Sequence, residues 1–166
     1  MSEPTDEVLV KITGLVLDPD SKVPIVILRD PIDEQILPIW IGVFEANAIA
    51  MSLEGVETPR PMTHDLLLQM IQSLDGKVDR VVITDLKEDT FFAVIHVLRD
   101  EGPLAVDARP SDALALAVRA DAPFFVTRLV LEKARADVRV GKLSEKERLK
   151  KWLEEVSPDE LGKYTM

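Results

Sequence analysis

Residues 8–17, VLVKITGLVL, alternate apolar and polar positions well enough to predict a strand. DPDSK is turn chemistry, and VPIVILRD reads as a second strand. PIDEQ turns again before ILPIWIG, where Pro38 cannot donate to a ladder and predicts an edge strand or a bulge. The period then changes. EANAIAMSLEG is rich in Ala, Leu and Met and reads as a helix that Gly55 ends. After the rigid connector VETPRP, THDLLLQMIQSLDG is a second helix, with Thr63 as N-cap and Gly76 as stop. The order recurs downstream. KVDRVVITDLK, TFFAVIHVLRD and PLAVDA are strands, and RPSDALALAVRAD is a helix with Pro110 suited to its first turn. PFFVT is extended and RLVLEKAR helical. SEKERLKKWLEEV, residues 144–156, forms a last helix with Ser144 as N-cap and Glu147 at the capping-box position.

The two halves align. NAIAMSL (47–53) matches DALALAV (112–118), and ILRD (27–30) matches VLRD (97–100). The expected fold is therefore α+β: duplicated β3-α2 units, about 8–76 and 77–135, forming one mostly antiparallel, curved sheet with flanking helices. Residues 1–141 make this domain, and 142–166 a charged C-terminal helical extension. A groove between the halves is the natural place for a ligand.

Composition narrows the function. The 166 residues are 46% apolar, enough to bury one core, and the absence of cysteine excludes disulfides and thiolate metal sites. The polar N-terminus does not resemble a secretory leader, and no apolar run reaches the ~18–20 residues that span a bilayer, so a cytoplasmic protein is expected. Net charge is −10, which argues against indiscriminate nucleic-acid binding by the whole surface. Residues 1–127 carry a net −12, whereas 128–151 carry +5. That basic block is either a solvated helix face or the place where a polyanion docks.

Three polar clusters stand out. The first is Glu45, Asn47 and Glu54, with Asn47 and Glu54 two helical turns apart on one face. The second is RPMTHDLL, with Arg60, Thr63, His64 and Asp65; a histidine near a carboxylate can be an acid–base group or a metal ligand. The third is VDARPSDALALAV. Capping accounts for Ser111 and Asp112 there but not for Asp107 and Arg109, which precede the helix. A guanidinium suits phosphate, or it clamps a neighbouring acid. His96, mid-strand among Phe92, Val94 and Leu98, reads as a hydrogen-bonded core histidine.

No Walker loop, Rossmann fingerprint, HExxH or nucleophile elbow is present. With two histidines, only one of them in a polar cluster, a His-rich metal centre is excluded. Metal chemistry would be that of carboxylates and water around Mg²⁺ or Mn²⁺. Read together, LPIWIG, EANAIA, RPMTHDL and DARPSDALALA resemble the bifunctional nuclease family, over roughly residues 8 to 135. That resemblance implies phosphodiester hydrolysis on DNA and RNA with divalent-metal dependence. It carries Glu45, Asn47, Glu54, Arg60, Thr63, His64, Asp65, Asp107, Arg109, Ser111 and Asp112 as site residues. Plant members add a C-terminal segment resembling the UvrB–UvrC interaction motif, to which helix 144–156 cannot be matched.

Two readings follow. In the first, Glu45, Asp107 and Asp112 hold Mg²⁺ or Mn²⁺. His64, oriented by Asp65 or another carboxylate, is then acid or base. Arg60, Arg109, Ser111 and Asn47 bind substrate, and the basic block 128–151 tracks the nucleic-acid backbone. In the second, the clusters join the halves through Arg–carboxylate pairs. The chain is then a non-catalytic module that contacts a partner or a second copy through Trp40 and Phe44 or the last helix. A homodimer is expected.

Overall fold

The computed structural model describes residues 6–139, so helix 144–156 and the basic block past Arg139 lie outside the described residues. Three strands come first: β1 (Glu7–Leu17), β2 (Pro24–Arg29) and β3 (Ile36–Trp40). Helices α1 (Val43–Leu53) and α2 (Thr63–Ser73) follow. Then come β4 (Lys77–Lys87), β5 (Thr90–Leu98), β6 (Leu104–Ala108), α3 (Pro110–Ala120), β7 (Phe124–Thr127) and α4 (Arg128–Arg139). The strands form one seven-stranded sheet in the order β3-β2-β1-β7-β4-β5-β6. Every pairing is antiparallel except β4 with β7.

The fold is thus α+β, with a three-strand meander at each end. β1 joins the two parts of the sheet: Glu7–Val10 pairs with β7, and Lys11–Leu17 with β2. β7 has no counterpart in the first half, so the two halves share an order of elements rather than an identical plan. β3 lies at an edge, where Pro38 costs no ladder bond.

α3 is the hub. Its Ala113–Ala117 stretch is wholly buried, against β4 and β5 on the sheet and under both α1 and α2. The alternating alanines, Ala113, Ala115 and Ala117, keep the helix thin enough for four elements to approach it, while Leu114 and Leu116 fill the space between. These side chains join Ile12, Val26, Leu28, Ile49, Val81, Ile83 and Val126 in one core. α4 continues directly from β7 and adds Val130 and Leu131. Its Lys133 donates to Asp85 Oδ1 at 2.7 Å, which with the Leu86 amide holds the Asp85 carboxyl down at about 2. No described helix is long and apolar enough to cross a membrane.

Several local expectations change. α1 begins two residues earlier than its composition suggests, with Gly42 as N-cap, which brings Phe44 into the first turn. The N-cap of α2 is Met62 rather than Thr63. Ser111 does not cap α3: Arg109 holds that position and Ser111 is buried. His96 is not a core residue. Ala93, Ile95 and Val97 take the buried face of β5, so the pleat turns His96 to the other face, half-buried and opposite Arg80. There burial, with Arg80 adding to it, lowers its pKa.

Gly76 plays a different part from the expected helix stop. The left-handed residue is Asp75, at φ 58°. A Cβ on Gly76 would lie 3.0 Å from Ile71 O, Ile71 Cγ2 and Val97 Cγ1. Gly76 therefore lets the end of α2 close onto β5. Gly76→Ala should destabilise by about 1–3 kcal/mol through overpacking, outweighing the ~0.4–1 kcal/mol gained from a stiffer unfolded chain. Urea unfolding measures this, and an unchanged or raised midpoint would refute the close-approach role.

Candidate functional site

Each of the three packed helices carries an acid at its third position: Glu45 in α1, Asp65 in α2 and Asp112 in α3. An acid there sits against the positive end of the helix dipole. Here all three acids are also held by guanidinium groups, and those bonds join the helices.

Arg109, the N-cap of α3, donates from Nε to Asp112 Oδ2 at 2.9 Å. Its Nη2 lies 2.9 Å from the same Oδ2 and 3.2 Å from Glu45 Oε1. Gly42 makes room for this. A Cβ at position 42 would collide with the Glu45 carboxylate, which folds back over the start of α1. The other Asp112 oxygen, Oδ1, lies 2.9 Å from His64 Nε2. A chain of contacts thus runs Glu45–Arg109–Asp112–His64 across the starts of α1, α3 and α2. His64 keeps 11% of its side-chain surface exposed and Arg109 65%. Burial pushes the Asp112 carboxyl up, but hydrogen bonds from Arg109 and His64 outweigh it and the net direction is down. Arg109 is raised, chiefly by its hydrogen bond to Asp112. An ionised carboxylate only accepts, so Nε2 of His64 carries the hydrogen and Nδ1 is the nitrogen left to exchange a proton.

Of the two options for the partner of His64, Asp65 or another carboxylate, the second holds: Asp112 takes that place and Asp65 serves another residue. Its Oδ2 accepts the Met62 amide at 2.9 Å, and its Oδ1 accepts from Arg119 Nε at 2.7 Å. The Met62 bond, with Arg119 behind it, lowers the Asp65 carboxyl. The Arg119 side chain is only 8% exposed and also donates to Ala48 O at 3.0 Å and Ala115 O at 2.9 Å. It therefore ties α1, α2 and α3 together. Sequence reasoning passed over Arg119 as the tail of a helix. The available signal was a cation one residue after the apolar run Ala113–Val118, on a helix that needs a partner for it. Beside this knot lies a groove of about 360 Å³, lined by Met51, Val56, Met62, Leu68, Val118 and Asp65 among others.

The other expected site residues stand apart. Asp107 is exposed on the edge strand β6, opposite Val94, and belongs to no cluster of acids arranged to hold a metal among the described residues. Asn47 is exposed and donates to Met51 Sδ at 3.4 Å. Glu54 is the C-cap of α1. Arg60 is exposed on the connector, where its carbonyl accepts from Thr58. Glu45, Asp107 and Asp112 do not fit a divalent ion as folded, because the first and third already share the Arg109 guanidinium. No group of three or more His, Asp or Glu among the described residues is arranged to hold a metal. Trp40 is half-buried, its Nε1 donating to Asp18 Oδ2 at 3.1 Å, whereas Phe44 is 87% exposed.

A mixed seven-stranded sheet whose helices begin side by side around a histidine–carboxylate–guanidinium cluster defines an α+β domain with a histidine–aspartate contact next to an exposed guanidinium. The chain belongs to the Bifunctional nuclease domain family, whose profile matches residues 26–139. The uncharacterized protein Rv1829 of Mycobacterium tuberculosis strain H37Rv is 38% identical over 163 residues, covering 91% of this chain and 96% of that one. Bifunctional nuclease 1 of Oryza sativa subsp. indica is 24% identical over 109 residues, 64% of this chain and 33% of the rice protein.

The Arg119 knot gives a pH-dependent prediction. Asp65→Asn should cost about 1–2 kcal/mol near neutral pH, a figure already discounted because the carboxylate is one-third exposed. A lowered folded pKa contributes stability above the unfolded value of ~3.9 and loses it as pH falls through the folded value. The gap between wild type and Asp65→Asn should therefore narrow on acidification, as wild type protonates the same group. Denaturation midpoints across the acid range test it, and a gap independent of pH would contradict the ion pair.

Proposed function

We propose that this domain hydrolyses phosphodiester bonds of nucleic acid at the Glu45–Arg109–Asp112–His64 cluster. The observation that carries the reading is the continuity of that chain of contacts, together with membership of a nuclease family. Asp112 holds His64 with Nδ1 available. Nδ1 takes a proton from the water that attacks phosphorus, and the proton leaves with the departing oxygen as the P–O bond breaks. Arg109, two-thirds exposed, turns its fork to the phosphate oxygens, where charge grows in the transition state. Glu45 orients Arg109 from the side away from Asp112. Arg60, together with Arg128 and Arg135 on the exposed side of α4, supplies further positive charge for the flanking backbone.

The rival reading, a non-catalytic interaction module, draws support from the apolar outer face of α2. Leu66, Met70 and Leu74 lie there one turn apart, at 48%, 55% and 73% exposure. Cleavage of end-labelled single-stranded DNA and RNA separates the two readings. Wild type should cleave. His64→Gln should lose roughly 10²–10⁴-fold in rate, and Arg109→Ala roughly 10²–10³-fold, with both variants still folded by circular dichroism. A folded wild type that cleaves neither polymer, or variants that cleave as well as wild type, would favour the interaction module.

A further inference from the structure

Divalent-metal chemistry, which the family resemblance implies, and the geometry of this cluster disagree, and the disagreement has a specific form. The nitrogen Arg109 Nη2 is shared by Glu45 Oε1 at 3.2 Å and Asp112 Oδ2 at 2.9 Å. An ion bridging those two carboxylates would sit in the same gap. We infer that the Arg109 guanidinium is itself the resident cation of this cluster, and that it and a divalent ion exclude each other there.

The arginine is far more exposed than the two carboxylates it joins. Glu45 is folded back over Gly42, with 20% of its side chain exposed. Asp112 is 31% exposed and has its other oxygen engaged by His64. Arg109 is an arm from a helix N-cap with 65% of its side chain in solvent, and these two acids are its only side-chain partners among the described residues. Oxygen donors of this kind suit a hard cation such as Mn²⁺ or Mg²⁺. With the guanidinium in the gap, such an ion meets a cation that is already bonded to both acids. With the guanidinium gone, two acids face each other at the starts of two helices with nothing between them.

This inference concerns the same site as the nuclease reading but does not depend on it, because metal binding is read without nucleic acid. The test is titration of the full chain with Mn²⁺, followed by calorimetry and by paramagnetic broadening of the two histidine side-chain signals. His64 borders the cluster, and His96 lies on the other face of the sheet, so each reports its own surroundings. Arg109→Gln should bind one Mn²⁺ roughly 5–150-fold more tightly than wild type, the usual range for coupling between two ligands. His64 should broaden before His96 in that variant but not in wild type at the same concentration. The gain should vanish in the Glu45→Gln/Arg109→Gln double variant. Equal affinity of wild type and Arg109→Gln, or a gain that survives Glu45→Gln, would overturn the inference. If Arg109→Gln does not fold, wild type alone decides: selective His64 broadening at substoichiometric Mn²⁺ refutes exclusion, and its absence there supports it.

Discussion

Three helix N-termini meet on one side of this sheet, and the charge that gathers there must be balanced before the helices can pack. Each helix carries about half a positive charge at its start, and each offsets it with an acid at its third position. Placed side by side, those acids would repel one another. Arg109 and Arg119 resolve the conflict in different ways. Arg119 is nearly buried and bonded to a carboxylate and two backbone carbonyls, so its fork spends its donors on structure. Arg109 is exposed and holds only carboxylates, so its donors can be offered to something else. One guanidinium builds the knot, and the other is left at its open side.

This division explains why neighbouring residues of one motif part company. His64 and Asp65 are adjacent in sequence, yet successive helical positions point about 100° apart. His64 therefore turns to Asp112 on α3, and Asp65 to Arg119 farther along the same helix. The acidic body of the chain is also less hostile to a phosphate than its net charge suggests, because Glu45, Asp65 and Asp112 are already paired. What faces solvent there is a guanidinium. Part of the basic block serves structure as well, since Lys133 is engaged by Asp85 and docks α4 against β4.

Much of the fold could be read from local pattern. The aromatic and β-branched run TFFAVIHV and the Ala-Leu run of DALALAV mark a strand and a helix directly, and Pro38 marked an edge. Helix starts were less legible. Gly42 and Met62 are N-caps without a side-chain cap bond, so no Ser, Thr, Asp or Asn announces them, and Thr63 and Ser111 were misleading substitutes. Matching NAIAMSL to DALALAV by side-chain type set Asn47 beside Asp112. The helix starts instead bring Glu45 and Asp112 to the same third position. The site itself was legible only as a list. Glu45 and Arg109 are 64 positions apart, and His64 and Asp112 are 48 apart. Which acid serves which cation is decided by how three helices cross, and no spacing within one segment encodes that.

The proposed phosphate chemistry centres on Asp112, where His64 and Arg109 converge. A non-hydrolysable phosphorothioate dinucleotide, titrated into the intact protein while the two histidine imidazoles are followed by NMR, tests it most directly. A saturable shift of the His64 signals, with His96 unmoved, is expected. Saturable binding that leaves His64 unmoved, or that moves His96 instead, would contradict it.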